Sequence, residues 1–203
     1  MALGDNYATL AELKSRIGIS DTNDDTKLNS ALSSASRGIE KICLRQFNDA
    51  GVTSTRRYRT RFAGYVDVDD FNTTTGLIIA VDNSDNGTFA TTWTTSYYEL
   101  DPIDGVVDGE TGWPYSRIIG IGGWEFPVYN ERTQVSVTAR WGWTAVPAPI
   151  KEAVLLVAEE TFKLKDAPFG VAGYGEFGAV RIRQNPMAMN MITPYRRDPV
   201  LVG

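Results

Sequence analysis

Residues 28–42 read LNSALSSASRGIEKI, and this stretch decides the fold class. Leu28, Leu32, Ala35, Ile39 and Ile42 recur at helical spacing, so they share one stripe of an α-helix. Asn29, Ser30, Ser33, Ser34, Arg37 and Lys41 fall on the polar side. The pattern predicts a long amphipathic helix to about Phe47, whose apolar stripe must be buried against another helix. Just upstream, Thr9 and Glu12 have the spacing of a capping box: the threonine oxygen accepts a free backbone N–H and the glutamate reaches back to the cap. Leu10, Leu13 and Ile17 follow on one face, and Gly18 is placed to end this short helix.

The partner helix lies at the far end of the chain. Val146-Pro147-Ala148-Pro149 opens a segment from Ile150 to Lys165 that is apolar on nearly every face between Ala153 and Ala158. Proline in a first helical turn loses no hydrogen bond, and a helix apolar all round must be covered on both sides. Between the two ends, from about Val52 to Trp143, the period changes to two. Arg57, Arg59 and Arg61 alternate with Tyr58, Thr60 and Phe62. Leu77–Val81, Thr88–Thr95, Tyr97–Leu100, Ser116–Ile121 and Gln134–Trp143 are further strand candidates. Asn86-Gly87, between two of them, is a hairpin signal because both residues tolerate positive φ. The expected fold is α+β: a core of packed antiparallel helices from both chain ends (1–51 and 146–178) with an inserted antiparallel β lobe (52–145). An extended C-terminal arm (179–203) follows a glycine-rich loop.

Composition narrows the chemistry. The chain has 203 residues, no histidine and one cysteine, Cys43. His-containing triads, His-ligated metals, internal disulfides and multi-cysteine sites are all excluded. The opening MALGDNYATL has neither a basic nor an apolar segment, so no secretory signal is expected, and no aliphatic run is long enough to span a bilayer. The net charge of −5 is unevenly spread: residues 64–131 hold twelve acids and one base, Arg117. Such a block repels nucleic acid.

Several motifs fail on context. Gly173-x-Gly175-x-x-Gly178 has dinucleotide spacing, but a helix precedes it and a strand-like run follows, the reverse of what a phosphate site needs. Asp82-x-Ser84-x-Asn86-Gly87 starts like a calcium loop, yet Trp93 stands where a bidentate glutamate belongs. Asp21-x-Asn23-x-Asp25 lacks both glycine and glutamate and reads as a helix cap. Arg56, Arg57, Arg59 and Arg61 form a basic strip whose phosphate-binding reading is weaker than pairing with the acids of the same lobe. Trp93, Trp113, Trp124, Trp141, Trp143 and the Tyr97-Tyr98 pair fit a core or a protein interface better than a sugar-binding face. No pair of acids has the placement of a glycoside hydrolase, and Cys43 has no base to activate it. No cofactor, no metal and no catalytic residue is expected.

The order of these elements resembles the head–tail connector (adaptor) proteins of tailed bacteriophages. The resemblance rests on the helix pair from Tyr7 to Phe47, on Ala139–Trp143 running into Val146-Pro147 and Ile150–Ala153, on Ala167–Gly178 followed by Val180–Arg183, and on the ending Pro194–Arg197. It implies a structural, non-enzymatic virion protein assembled in the host cytoplasm, and a homo-oligomeric ring, commonly twelvefold, beneath the portal at the neck. Such a ring joins capsid to tail, meets the next neck or tail-completion protein, and forms part of the conduit through which DNA passes without sequence-specific binding. No membrane is involved. The resemblance places a portal or neck interface on Val180, Arg181, Arg183, Met187, Met189, Met191, Tyr195, Arg196 and Arg197. Inter-subunit or loop contacts fall to Trp141, Trp143, Gly173, Tyr174, Gly175, Phe177 and Gly178. Some of the acid-rich block, with Asp67, Asp69 and Asp70 as the residues to test, or the acidic residues of the helical core, is expected to line the conduit. The alternatives are a carbohydrate-binding β module, a stopper or tail-completion protein of the same neck, and, more remotely, a two-carboxylate hydrolase.

Overall fold

The structure is a computed structural model and describes residues 3–128, 132, 134–163 and 182–197. Contacts divide the chain into two compact units, one formed by residues up to 48 with those from 145 onward, the other by 49–144.

In the helical unit, α1 (Leu10–Ile17) starts on the Thr9–Glu12 capping box and stops at Gly18, which takes the left-handed conformation at φ 74°. Helix α2 (Asp25–Cys43) buries Leu28, Leu32, Ala35, Ile39 and Ile42. It ends four residues before the expected limit. Leu44 turns left-handed and donates its N–H to the Glu40 carbonyl, which frees Phe47 to swing into the core against Tyr7. Helix α3 (Ala148–Lys163) is the centre of this unit and packs against α1, α2 and α4 (Pro186–Ile192). Its Ile150, Val154 and Val157 are fully buried, each worth about 1.5–3 kcal/mol of transfer free energy. On the side of α2 read as polar, Ser34 is in fact buried.

Helix α4 corrects the expectation of an extended arm. Asn185 caps it by accepting the Ala188 N–H at 2.9 Å, Pro186 occupies the first turn, and Ala188 and Ile192 are buried. A turn of 3-10 helix, Thr193–Tyr195, follows, and the Arg197 N–H then donates to the Cys43 carbonyl at 2.9 Å. A capped, half-apolar segment beside an apolar helix gains more by folding onto it than by staying free.

The β unit is antiparallel throughout its described pairings. Its strands are β1 (Asp49–Tyr58), β2 (Tyr65–Phe71), β3 (Ile78–Val81), β4 (Thr91–Trp93), β5 (Tyr98–Asp101), β6 (Val106–Val107), β7 (Glu110–Thr111), β8 (Tyr115–Gly120) and β9 (Val135–Gly142). Strand β9 is the spine. β1 pairs along it from Thr53 opposite Arg140 to Tyr58 opposite Val135. β3 (Val81 opposite Val135) and β2 (Phe71 opposite Trp141) also pair with it, giving the order β4-β3-β9-β2-β8-β5 with β1 off this path. Val135, Val137, Ala139 and Trp141 alternate inward from β9, as a strand with one buried face must. β6 and β7 form a separate hairpin after β5.

Candidate functional site

The chemistry-bearing residues of this chain are its surface charges and aromatics, and strand register decides which of them are consumed internally. At the β3–β4 connection, the Asp82 carboxylate accepts from the N–H groups of Ser84, Asn86 and Gly87 at 2.7–3.3 Å. Burial opposes its charge, but these three donors outweigh that and hold the carboxyl below its usual range. The segment that starts like a calcium loop is therefore a self-capped turn. Among the described residues no group of three acid or cysteine side chains is placed to hold a metal ion. Cys43 is buried, and burial pushes its thiol up to about 12.

The acids expected to face a conduit are occupied. Asp67 pairs with Arg117 at 2.7 Å, and Asp69 takes Arg56 at 2.5 Å and the Tyr58 hydroxyl at 2.9 Å. Asp70 is buried and accepts the Trp143 indole N–H at 2.9 Å. Three carboxylates already paired or buried contribute little open field to a passing polyanion. Asp49 is held down to about 2 by the Arg140 guanidinium, with the Gly51 N–H and Asn72 amide adding to it against burial. The unpaired acids are elsewhere. Asp104, Asp108 and Glu110, on and beside the β6–β7 hairpin, have no ion pair among the described residues, and all three are exposed.

The basic strip divides in the same way. Tyr58 and Thr60 point inward while Arg57, Arg59 and Arg61 point outward, as the period-two reading requires. Arg56 pairs with Asp69 and lies over the Trp141 ring at 4.6 Å; Arg57 lies over Phe89 at 5.2 Å. Arg59 and Arg61 pair with no described acid, contrary to the expectation for the whole strip. Phe62 is 52% exposed and stacks on Tyr65 at 4.8 Å.

Trp141 and Trp143 are not available as inter-subunit contacts. Trp141 is 1% exposed, donates to the Ser54 carbonyl at 2.8 Å and meets Phe71 edge-on; Trp143 is 4% exposed and packs against Trp113. Trp93 is buried and stacked on Phe126, and Trp124 is stacked on Tyr97 at 3.7 Å. The aromatic load is largely spent inside the unit, which leaves little open ring face for a sugar.

In the helical unit, the expected portal contacts sit on and around α4. Met187 is 60% exposed and Arg183 and Arg196 are exposed, whereas Met189, Met191 and Arg197 are half-buried. Tyr195 is half-buried and edge-on to Phe47 at 6.0 Å. A shallow depression beside them is lined by Glu160, Gln184, Asn185, Pro186 and Met187. Val180, Arg181 and the candidates Gly173, Tyr174, Gly175, Phe177 and Gly178 lie outside the described residues. The sequence reading passed over Asp104, Asp108 and Glu110 as ordinary loop acids; their signal was the two acids flanking a glycine, Asp108-Gly109-Glu110.

Residues 7–83 match the family described as phage gp6-like head-tail connector protein, a span that contains the Tyr7–Phe47 stretch on which the resemblance first rested. No curated protein matches the chain by sequence. Among solved structures, the chain is similar to one from the neck of an empty GTA particle computed with C6 symmetry, at TM-score 0.55 and 19% identity, covering 96% of this chain and 91% of that one. It is similar also to one from the virion of the native gene transfer agent particle, at 0.55 and 20%, with 96% and 91% covered. A third comes from the neck of the native particle computed with C12 symmetry, at 0.52 and 18%, with 100% and 99% covered. These likenesses establish a shared α+β fold.

Proposed function

We propose that this chain is a structural, non-enzymatic virion protein: a head–tail connector that forms a homo-oligomeric ring beneath the portal at a phage-type neck. There it joins capsid to tail and forms part of the conduit for DNA. The observation that carries this reading is the overlap of two independent likenesses, a connector-family match over residues 7–83 and a shared fold over 96–100% of the chain with neck and virion components. A neighbour in a neck of C12 symmetry suits a twelvefold ring.

The physical character of the chain agrees. Its one thiol is buried and it has no histidine, so it is poor in catalytic groups but rich in exposed side chains suited to contact. The outward side of α4, with Arg183, Met187 and Arg196, is the surface we assign to the portal: an unbranched thioether adapts to an irregular partner and two guanidiniums add charge. A net negative chain keeps DNA sliding through the ring instead of binding it.

Removing the chain from an assembling particle system tests the reading. Without it, filled or emptied heads and free tails should accumulate unjoined, and restoring it should rejoin them. A Met187→Asp/Arg196→Glu variant should fold but fail to co-sediment with portal rings. Joined particles formed in its absence would refute the assignment.

A further inference from the structure

Two groups of like charge without a described ion pair lie at opposite ends of the β unit. Strand β2 runs from Tyr65, opposite Ile119, to Phe71, opposite Tyr115, a span of roughly 20 Å at the usual rise per residue. At the Tyr65 end, β1 leaves the sheet after Tyr58 and continues through Arg59, Arg61 and Phe62 to Ala63 and Gly64, which accept the N–H groups of Phe126 and Gly120. At the Phe71 end, β5 finishes at Asp101, opposite Arg117, and the chain enters Ile103–Gly105 and the β6–β7 hairpin. One end therefore presents Arg57, Arg59 and Arg61 beside an exposed Phe62. The other presents Asp104, Asp108 and Glu110 beside Ile103 and Val106, which are 62% and 37% exposed. At the basic end, Asp82 is spent on its turn and Asp85 on Arg132 at 3.4 Å; Glu99, opposite Ile119, and Glu125 are exposed acids on that side, and neither has a described ion pair with the arginines.

We propose that these two ends are complementary halves of one contact, in which the Arg57–Arg59–Arg61 strip of one copy docks on the Asp104–Asp108–Glu110 hairpin of the next. The occupant of each surface is thus a second copy of this chain. Charge complementarity carries the argument: no described acid pairs with Arg59 or Arg61 and no described base with Asp104, Asp108 or Glu110, the two patches have opposite signs, and each has an apolar residue at its side to exclude water from the contact. Because each copy offers two different patches at opposite ends, repeating the contact head to tail gives a closed ring or an open filament. This deepens the ring reading above and rests on it.

Charge reversal tests the contact. Arg59→Glu/Arg61→Glu should weaken self-association, measured by sedimentation at low salt, by about tenfold or more, and so should Asp104→Asn/Asp108→Asn/Glu110→Lys. Asparagine is used at 104 and 108 because both residues have positive φ, 55° and 52°. Combining both sets in one chain should restore much of the association, which simple loss of folding would not. Mixing Arg61→Cys with Glu110→Cys protein should give a mixed disulfide that neither variant forms alone; the buried Cys43 gives little background. Wild-type rings that form equally well with either reversed set would overturn the contact and leave the ring reading standing. A wild type that never associates, alone or with portal, would remove both. Loss of duplex DNA retention by the arginine variant, with association unchanged, would overturn the contact in favour of a phosphate-binding strip.

Discussion

Replacing Tyr7 by phenylalanine removes one oxygen from the helical core and isolates what that oxygen does. Tyr7 is fully buried. Its hydroxyl donates to a Glu40 carboxylate oxygen and accepts the Phe47 backbone N–H at 3.1 Å, while its ring meets Phe47 edge-on with centroids 5.7 Å apart. The phenylalanine keeps the ring and its packing but strands the Phe47 N–H, just where the chain turns out of α2. An orphaned buried donor costs about 1–3 kcal/mol. Glu40 still has Arg37 at 3.1 Å, so its charge is not stranded and adds little. A net loss of ~2 kcal/mol lowers the melting midpoint of a chain this size by about 4–8 °C. Denaturant titration and amide exchange of α2 measure it. Burial, then the Glu40 hydrogen bond, push the Tyr7 hydroxyl above its ordinary value. Its contribution is thus fully present below the unfolded tyrosine's ionisation near ~10 and declines only above it, so the penalty should be constant from neutral pH to about 9. A loss below about 0.5 kcal/mol would refute the reasoning, since it would mean that Phe47 N–H finds another acceptor.

Acid stability should depend on Glu12, whose carboxyl is held down to about 2 by the Thr9 backbone N–H, then by Lys151 and the Thr9 hydroxyl. Its contribution is complete above about 4.5 and lost as pH falls toward about 2, so the melting midpoint of Glu12→Gln should fall less on acidification than that of the wild type. Asn185→Ala removes the cap of α4 and should cost about 1 kcal/mol, seen as faster amide exchange at Ala188 and Met189; unchanged exchange would deny the cap its role. Gly120→Ala would set a Cβ 2.1 Å from the Trp124 carbonyl, forcing the 121–126 loop to shift, with a cost of about 1–3 kcal/mol in β-unit unfolding; full wild-type stability would mean that the loop yields freely.

What could be read in the sequence was local. The Thr9–Glu12 capping box, the Gly18 stop and the Leu28–Ile42 stripe each depend on residues within a few positions of one another, and each stands in the structure as its spacing predicts. The β3–β4 pairing also forms, but it closes at Val81 opposite Thr91 over a longer loop in which Asp85 and Gly87, not Asn86, have positive φ. The end of α2 was misplaced because Phe47 continues the apolar pattern, while its actual position is set by Tyr7, forty residues away. Strand β2 escaped notice because Asp67, Asp69 and Asp70 make it look like a loop; two of those acids are tolerable there only because Arg117 and Arg56 arrive from β8 and β1.

The same division holds for the functional surfaces. Sequence alone established an α+β chain without histidine chemistry, with acids massed in its middle and an arginine strip before them. Only the tertiary structure decided that α4 folds back on α3, that Trp141 and Trp143 are core, and that Arg56 is neutralised while Arg59 and Arg61 pair with no described acid. The physical reason is range. Caps, turns and helical stripes are fixed by neighbours along the chain, whereas burial and charge pairing depend on strand register, and register is the sum of many weak contacts between residues far apart in sequence.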